Sequence, residues 1–147
     1  MNDPLKIILA SDHAGFELKE VIKAYLERKS IEVLDIKTVF EEEDDYPPII
    51  REACAKILEE EAMGIIFGGS GNGEAMAANK VRGIRCAVCY NEEVARLARA
   101  HNDANVMSLG GRVTNPELAK KLVDIFLGTA FEGGRHKRRV DDLEVEQ

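Results

Sequence analysis

The chain has 147 residues, nearly half of them apolar and few aromatic, which suits one packed domain and excludes a disordered tail or an aromatic-rich β-sandwich. A formal net charge of −7 excludes nucleic acid as a main partner, because phosphate backbones attract basic surfaces. No apolar run approaches membrane-spanning length and no basic-then-apolar leader opens the chain, so a cytoplasmic protein without a signal peptide is expected.

Strand and helix signals alternate from end to end. Lys6 to Ser11 is a short run rich in Ile and Leu that reads as a strand, leading into Asp12-His13-Ala14-Gly15. From Phe16 to Lys29, apolar residues recur at helical spacing through Phe16, Leu18, Val21, Ile22, Tyr25 and Leu26. Glu32 to Ile36 reads as a second strand, and the acidic run Glu41 to Asp45 as a solvated loop with no assignable chemistry. Pro47-Pro48 opens a helix to about Glu61, since proline suits the first helical turn. Gly64 to Phe67 predicts a third strand, running into Gly68-Gly69-Ser70-Gly71-Asn72-Gly73 and a short helix from Glu74 to about Asn79. Ile84 to Tyr90 predicts a fourth strand, Asn91 caps a helix to Ala100, and Val106 to Leu109 predicts a fifth strand ending at Gly110-Gly111. Thr114 or Asn115 caps a helix that starts at Pro116 and runs to about Leu127, and the charged tail from Arg135 reads as helical.

This alternation predicts an α/β fold: a five-stranded, mainly parallel sheet between helices in three α/β/α layers, one domain over 1–147, closed by a C-terminal helix. Ligands of such sheets bind beyond the carboxyl ends of the strands. Ser11-Asp12-His13, Gly68 to Gly73 and Gly110-Gly111-Arg112 all fall there.

Gly68 to Gly73 holds four glycines in six residues between a strand and a helix. Glycine lets the backbone approach a ligand closely, and the helix start offers free N–H groups to a phosphate or an oxyanion. No Lys-Ser or Lys-Thr follows for a Walker A loop, Gly69, Gly71 and Gly73 do not fit G-x-G-x-x-G, and Asn72 breaks the nucleophile elbow G-x-S-x-G. That last mismatch leaves a serine hydrolase a remote reading. Glu74 follows directly. A base beside backbone donors is what enolisation next to a carbonyl requires, because the base moves a carbon-bound proton while N–H groups hold the enediolate. Ser70 either donates to substrate oxygens or closes the turn. Cys54, Cys86 and Cys89 make no disulfide framework and read as small core residues. His13, His101 and His136 share no ligand spacing, so no metal is expected. Arg135 and Arg139, four apart, share a helical face and can grip one phosphate.

These residues together resemble the ribose-5-phosphate isomerase B family, which also includes galactose-6-phosphate isomerase subunits. The resemblance runs from Lys6 to about Val140. It rests on Ser11-Asp12-His13-Ala14-Gly15, Asp45-Tyr46-Pro47, Gly68 to Glu74, Ala77-Ala78-Asn79-Lys80, His101-Asn102-Asp103-Ala104-Asn105, Gly110-Gly111-Arg112 and Gly133-Gly134-Arg135-His136. It implies a Rossmann-like fold and a homodimer with active sites at the subunit interface, with pairing into tetramers left open. It also implies that neither metal nor organic cofactor takes part. One branch of the family has a cysteine base where this chain has Gly68. The chain instead resembles the branch with Gly-Gly-Ser-Gly-Asn-Gly-Glu, in which the residue matching Glu74 is the base. By the same resemblance, Asp12 and His101 assist opening of the furanose ring. Ser70 and the backbone from Gly69 through Gly71, Asn72 and Gly73 to Glu74 hold the substrate oxygens. His13 and Arg112 bind phosphate, joined by Arg135 and Arg139 from the partner subunit, while Tyr46 and Asn102 line the sugar site.

The resulting expectation is an aldose–ketose isomerase interconverting ribose 5-phosphate and ribulose 5-phosphate through a cis-enediolate. Two alternatives stand beside it. One keeps the mechanism and changes the substrate to a four-carbon tetrulose phosphate or a six-carbon allose or galactose 6-phosphate. The other is a non-catalytic sugar-phosphate sensor.

Overall fold

The computed structural model describes residues 5–146; residues 1–4 and 147, the ends of the expected 1–147 domain, lie outside that part. Five strands form the sheet: β1 (Lys6–Ser11), β2 (Glu32–Asp35), β3 (Met63–Gly68), β4 (Cys86–Val88) and β5 (Val106–Gly110). Six helices accompany them: α1 (Phe16–Arg28), α2 (Tyr46–Glu60), α3 (Asn72–Asn79), α4 (Glu92–Ala100), α5 (Pro116–Gly128) and α6 (Arg135–Leu143). A single 3-10 turn, His13–Gly15, joins β1 to α1. The strand order is β2-β1-β3-β5-β4. Every neighbouring pair is parallel, so the sheet expected to be mainly parallel is wholly so among the described residues.

Side chains alternate across the strands, and each set meets its own helices. Ile7, Leu9, Ile65, Phe67, Met107 and Leu109 pack against α1, α4 and α5, where Leu26, Ala98 and Phe126 are buried. Ile8, Ala10, Ile66 and Val106 pack against Ile50, Ala53, Cys54 and Ile57 of α2 and Ala78 of α3. Three layers result. No helix among the described residues is long and apolar enough to cross a membrane.

Several boundaries differ from expectation for local reasons. β4 is three residues long rather than Ile84 to Tyr90. The Ile84 N–H turns back to the Val81 carbonyl and Arg85 N–H donates to Asn105 Oδ1, so pairing with β5 begins only at the Arg85 carbonyl, which accepts from Val106 N–H. α3 starts at Asn72, two residues before Glu74. Asn115, not Thr114, caps α5 by accepting from the Leu118 N–H. Cys54 and Cys89 are buried as expected, whereas Cys86 on the edge strand is only partly covered. On α1, Lys19 is fully buried between the apolar positions. Its Nζ lies 2.6 Å from Asp35 Oδ2, 2.6 Å from Glu20 Oε1 and 4.4 Å from the Phe16 ring centroid.

Candidate active site

β1 and β3 are neighbours in the sheet, but the chain leaves β1 toward β2 on one side while β5 and β4 lie on the other. That divergence opens a crevice at the carboxyl ends of the strands. Asp12 leaves β1 there, 8% exposed, and its Oδ1 accepts from Gly15 N–H at 3.1 Å. Gly68 to Gly71 leave β3 beside it and lead into α3. The first helical bond of α3 runs from Ala75 N–H to the Gly71 carbonyl, so the N–H groups of Asn72, Gly73 and Glu74 precede the helical ladder. Asn72 N–H donates to Ser70 Oγ at 3.2 Å, so the hydroxyl oxygen closes the turn while its O–H keeps a proton to donate.

Glu74 sits in the first turn of α3 and is 3% exposed. Its carboxyl lies over Gly68, where an added Cβ would fall 2.0 Å from Glu74 Oε1. Glu74 Oε2 is buried without a hydrogen-bond partner among the described residues. Burial is the main reason that its pKa rises to about 7, and the Asp12 carboxylate adds to the rise while the backbone N–H and His13 oppose it. The Tyr46 ring, from the start of α2, covers Gly73 and would meet a Cβ there at 2.6 Å. Glycine at 68 and 73 is therefore what lets an acid and an aromatic ring close on the same loop.

Beyond this acid the rim is cationic. His13 lies in the turn after β1, and Arg112 follows β5, with its N–H donating to the Gly69 carbonyl at 2.9 Å. Its guanidinium reaches over Gly69. Asp44 closes this side: its Oδ1 accepts from the His13 backbone N–H at 2.8 Å and faces His13 Nδ1 at 3.0 Å. The expectation that Glu41 to Asp45 is simply a solvated loop is thus corrected at its fourth residue, whose side chain is only 8% exposed. Nothing local marks Asp44 among its acidic neighbours, because its partner lies 31 residues away in the chain.

The remaining candidates lie at the other end of the sheet. His101 ends α4 and Asn102 precedes β5, so both belong to the rim of strand N-termini, roughly 16 Å away across the length of β5. Asn102 lines a cleft of about 560 Å³ with residues 79–87 and 143–145, and none of the rim acids or cations described above reaches it. α6 is fastened to the same rim. Glu132 N–H donates to the Ala100 carbonyl, the His136 ring stacks on His101 with centroids 4.1 Å apart, and Glu144 pairs with Arg85 at 2.8 Å. Arg135 and Arg139 are exposed on α6. One chain therefore assembles Asp12, His13, Tyr46, Gly69 to Glu74 and Arg112, and leaves His101, Asn102, Arg135 and Arg139 apart from them. Glu132 lies 3.6 Å from His101 Nε2 and 3.7 Å from His136 Nε2, which brings three metal-ligating groups together despite their sequence spacing. The two rings lie within 13° of parallel, so their lone pairs run side by side instead of converging on a point.

A family model described as Ribose/Galactose Isomerase matches residues 7–143. The chain is 44% identical over 139 residues to ribose-5-phosphate isomerase B of Escherichia coli, covering 94% of this chain and 93% of that one. Among solved structures, a ribose 5-phosphate isomerase of Thermotoga maritima superimposes with a TM-score of 0.93 at 50% identity, covering 95% of this chain and 97% of that one. Ribose-5-phosphate isomerase B of Mycoplasma genitalium, with ribulose-5-phosphate bound, gives 0.92 at 39% identity, covering 97% and 96%.

Proposed function

The chain belongs to the ribose/galactose isomerase family, and from that premise we propose that it interconverts ribose 5-phosphate and ribulose 5-phosphate with Glu74 as the base. The observation that carries the base assignment is the Glu74 carboxyl itself, buried over Gly68 with one oxygen unpartnered and a pKa of about 7. A base is most effective when its pKa lies near the working pH, and this carboxylate stands at the start of α3, whose first-turn N–H groups precede the helical ladder.

In the aldose-to-ketose direction the furanose ring opens first: one group protonates the ring oxygen as another takes the C1 hydroxyl proton. Asp12 and His101 are assigned to this step. Glu74 then removes the C2 proton, leaving an enediolate whose negative charge the positive N-terminal end of α3 stabilises. The proton of the C2 hydroxyl passes to O1, Glu74 returns its own proton to C1, and ribulose 5-phosphate results. His13 and Arg112 hold the phosphate at the cationic side of the rim, and Tyr46 closes over the sugar.

His101, Asn102, Arg135 and Arg139 enter this scheme through a second copy. A two-fold axis across the strands sets the N-terminal rim of one chain against the C-terminal rim of the other, and closed two-fold symmetry then completes both sites at once. The split of candidate residues between the rims supports this reading, as does the exposure of both arginines. Three free cysteines fit a reducing cytoplasm.

The test compares wild type with Glu74→Gln on ribose 5-phosphate. The amide keeps the size and loses the base, so kcat falls by about 10² to 10⁴ while substrate still binds. Wild type also exchanges the C2 proton with solvent and the variant does not. Equal turnover by the two proteins places the base elsewhere.

A further inference from the structure

We propose that Asp44 is a positioning residue for His13, fixing its ring in the rim and keeping it a cation for the substrate phosphate. This rests on the reading of His13 and Arg112 as the phosphate subsite, and it adds a residue that subsite does not contain. One oxygen of Asp44 engages both ends of His13, at 2.8 Å from the backbone N–H and 3.0 Å from ring Nδ1. Two contacts on one acceptor fix where the residue sits and how its ring is turned. Nδ1 must carry a proton to donate to that carboxylate, which leaves Nε2 as the atom available to a ligand. In the doubly protonated ring Nε2–H donates to a phosphate oxygen; in the neutral ring it presents a lone pair that repels one.

The charges facing His13 explain why such a partner is needed. Arg112 opposes the imidazolium, since two cations gathered for one phosphate repel each other when it is absent. Asp12 and Asp44 favour it, and Glu74 faces His13 from α3. The Asp44 hydrogen bond is the largest of these influences and holds the His13 pKa above its ordinary value. Asp44 is itself kept ionised. Burial opposes its charge, but the hydrogen bonds from His13 and the nearby Lys37, with Nζ 3.6 Å from Oδ2, bring its pKa below the usual carboxylate value. The Asp44 side chain is 8% exposed and the His13 side chain 33%, so the buried anion stands behind a ring that solvent and ligand can reach.

Asp44→Asn tests the proposal because the amide oxygen still accepts both hydrogen bonds while the charge is gone. With three histidines in the chain, the His13 ring is resolved by proton NMR, its signal assigned by its loss in His13→Gln. In Asp44→Asn the ring titrates at lower pH than in wild type. At a pH between the two measured titration midpoints, the KM for ribose 5-phosphate rises by up to about tenfold with kcat little changed, the size expected for one charge-assisted contact. Glu42→Gln removes a neighbouring exposed charge and leaves both readings in place. Lys37→Gln, a second handle should the first variant fold poorly, moves the His13 titration to higher pH because Asp44 is then less compensated. An unmoved titration in Asp44→Asn, or an equal shift in Glu42→Gln, overturns the proposal. Inorganic phosphate, followed by its effect on the His13 signal, separates this inference from the isomerase reading. If wild type turns over no ribose 5-phosphate yet Asp44→Asn weakens phosphate binding and lowers the titration, the positioning role stands and the assigned reaction falls.

Discussion

With its pKa raised to about 7 by burial, and by Asp12 in addition, Glu74 holds a proton in the folded chain over a pH range in which the unfolded chain has already released it. The stability linked to that proton is complete below the unfolded pKa of about 4.5 and is lost as pH rises through about 7, on the order of 3 kcal/mol in all. Glu74→Gln cannot ionise and escapes that loss. Its thermal melting point is therefore expected to gain on wild type between about pH 5 and pH 7 and to hold that gain above, while its activity is nearly gone. Parallel melting curves at every pH would mean that the carboxyl ionises as freely as one in water. Glu74 was legible in the sequence because the loop that serves it is contiguous with it, Gly68 to Gly73 leading straight into the acid. Asp44 and the His101–His136 stack were not, because each is made by a contact between segments that are far apart in the chain.

At the level of strands and helices, two glycines of the same crevice play opposite parts. A Cβ on Gly15 would lie 2.3 Å from the Phe67 carbonyl carbon, where the start of α1 sits against the end of β3 and backbone meets backbone. The atoms nearest a Cβ on Gly68 all belong to the free end of the Glu74 side chain. Gly15→Ala should therefore cost about 3 kcal/mol of stability in a denaturant titration. Gly68→Ala should melt close to wild type yet lose about 10² or more in kcat, since the base is pushed from its place. The reverse pattern would remove Gly68 from the site. Periodicity and capping made most of these elements readable: α1, α2 and α4 begin and end within about two residues of their expected limits. β4 was overcalled because an apolar run does not reveal that Asn105 and Val81 claim the backbone before the ladder starts. The buried Lys19 escaped for a related reason, its partner Asp35 lying across the α1–β2 connection.

For the whole molecule, the proposed two-fold assembly would make the active site a property of two chains, since it joins candidate residues that one chain places on opposite rims. Glu74→Gln and His101→Ala homodimers are each inactive on this reading. Mixed under conditions that allow subunits to exchange, they should recover about one quarter of wild-type activity, because half the dimers are hybrid and each hybrid carries one intact site. No recovery despite verified exchange would confine the chemistry to single chains. The sheet brings a further consequence at its outer border. The Asn79 side-chain amide donates to the Cys86 carbonyl at 2.9 Å and accepts from the Cys86 N–H at 2.8 Å, acting as one rung of a missing sixth strand. On a border only three residues long, this leaves Val88 as the outward-facing rung within the strand. A stray extended peptide, or the border of another molecule, finds too little there to zip along, so this side of the sheet is a poor template for fibrils during crowding or long storage.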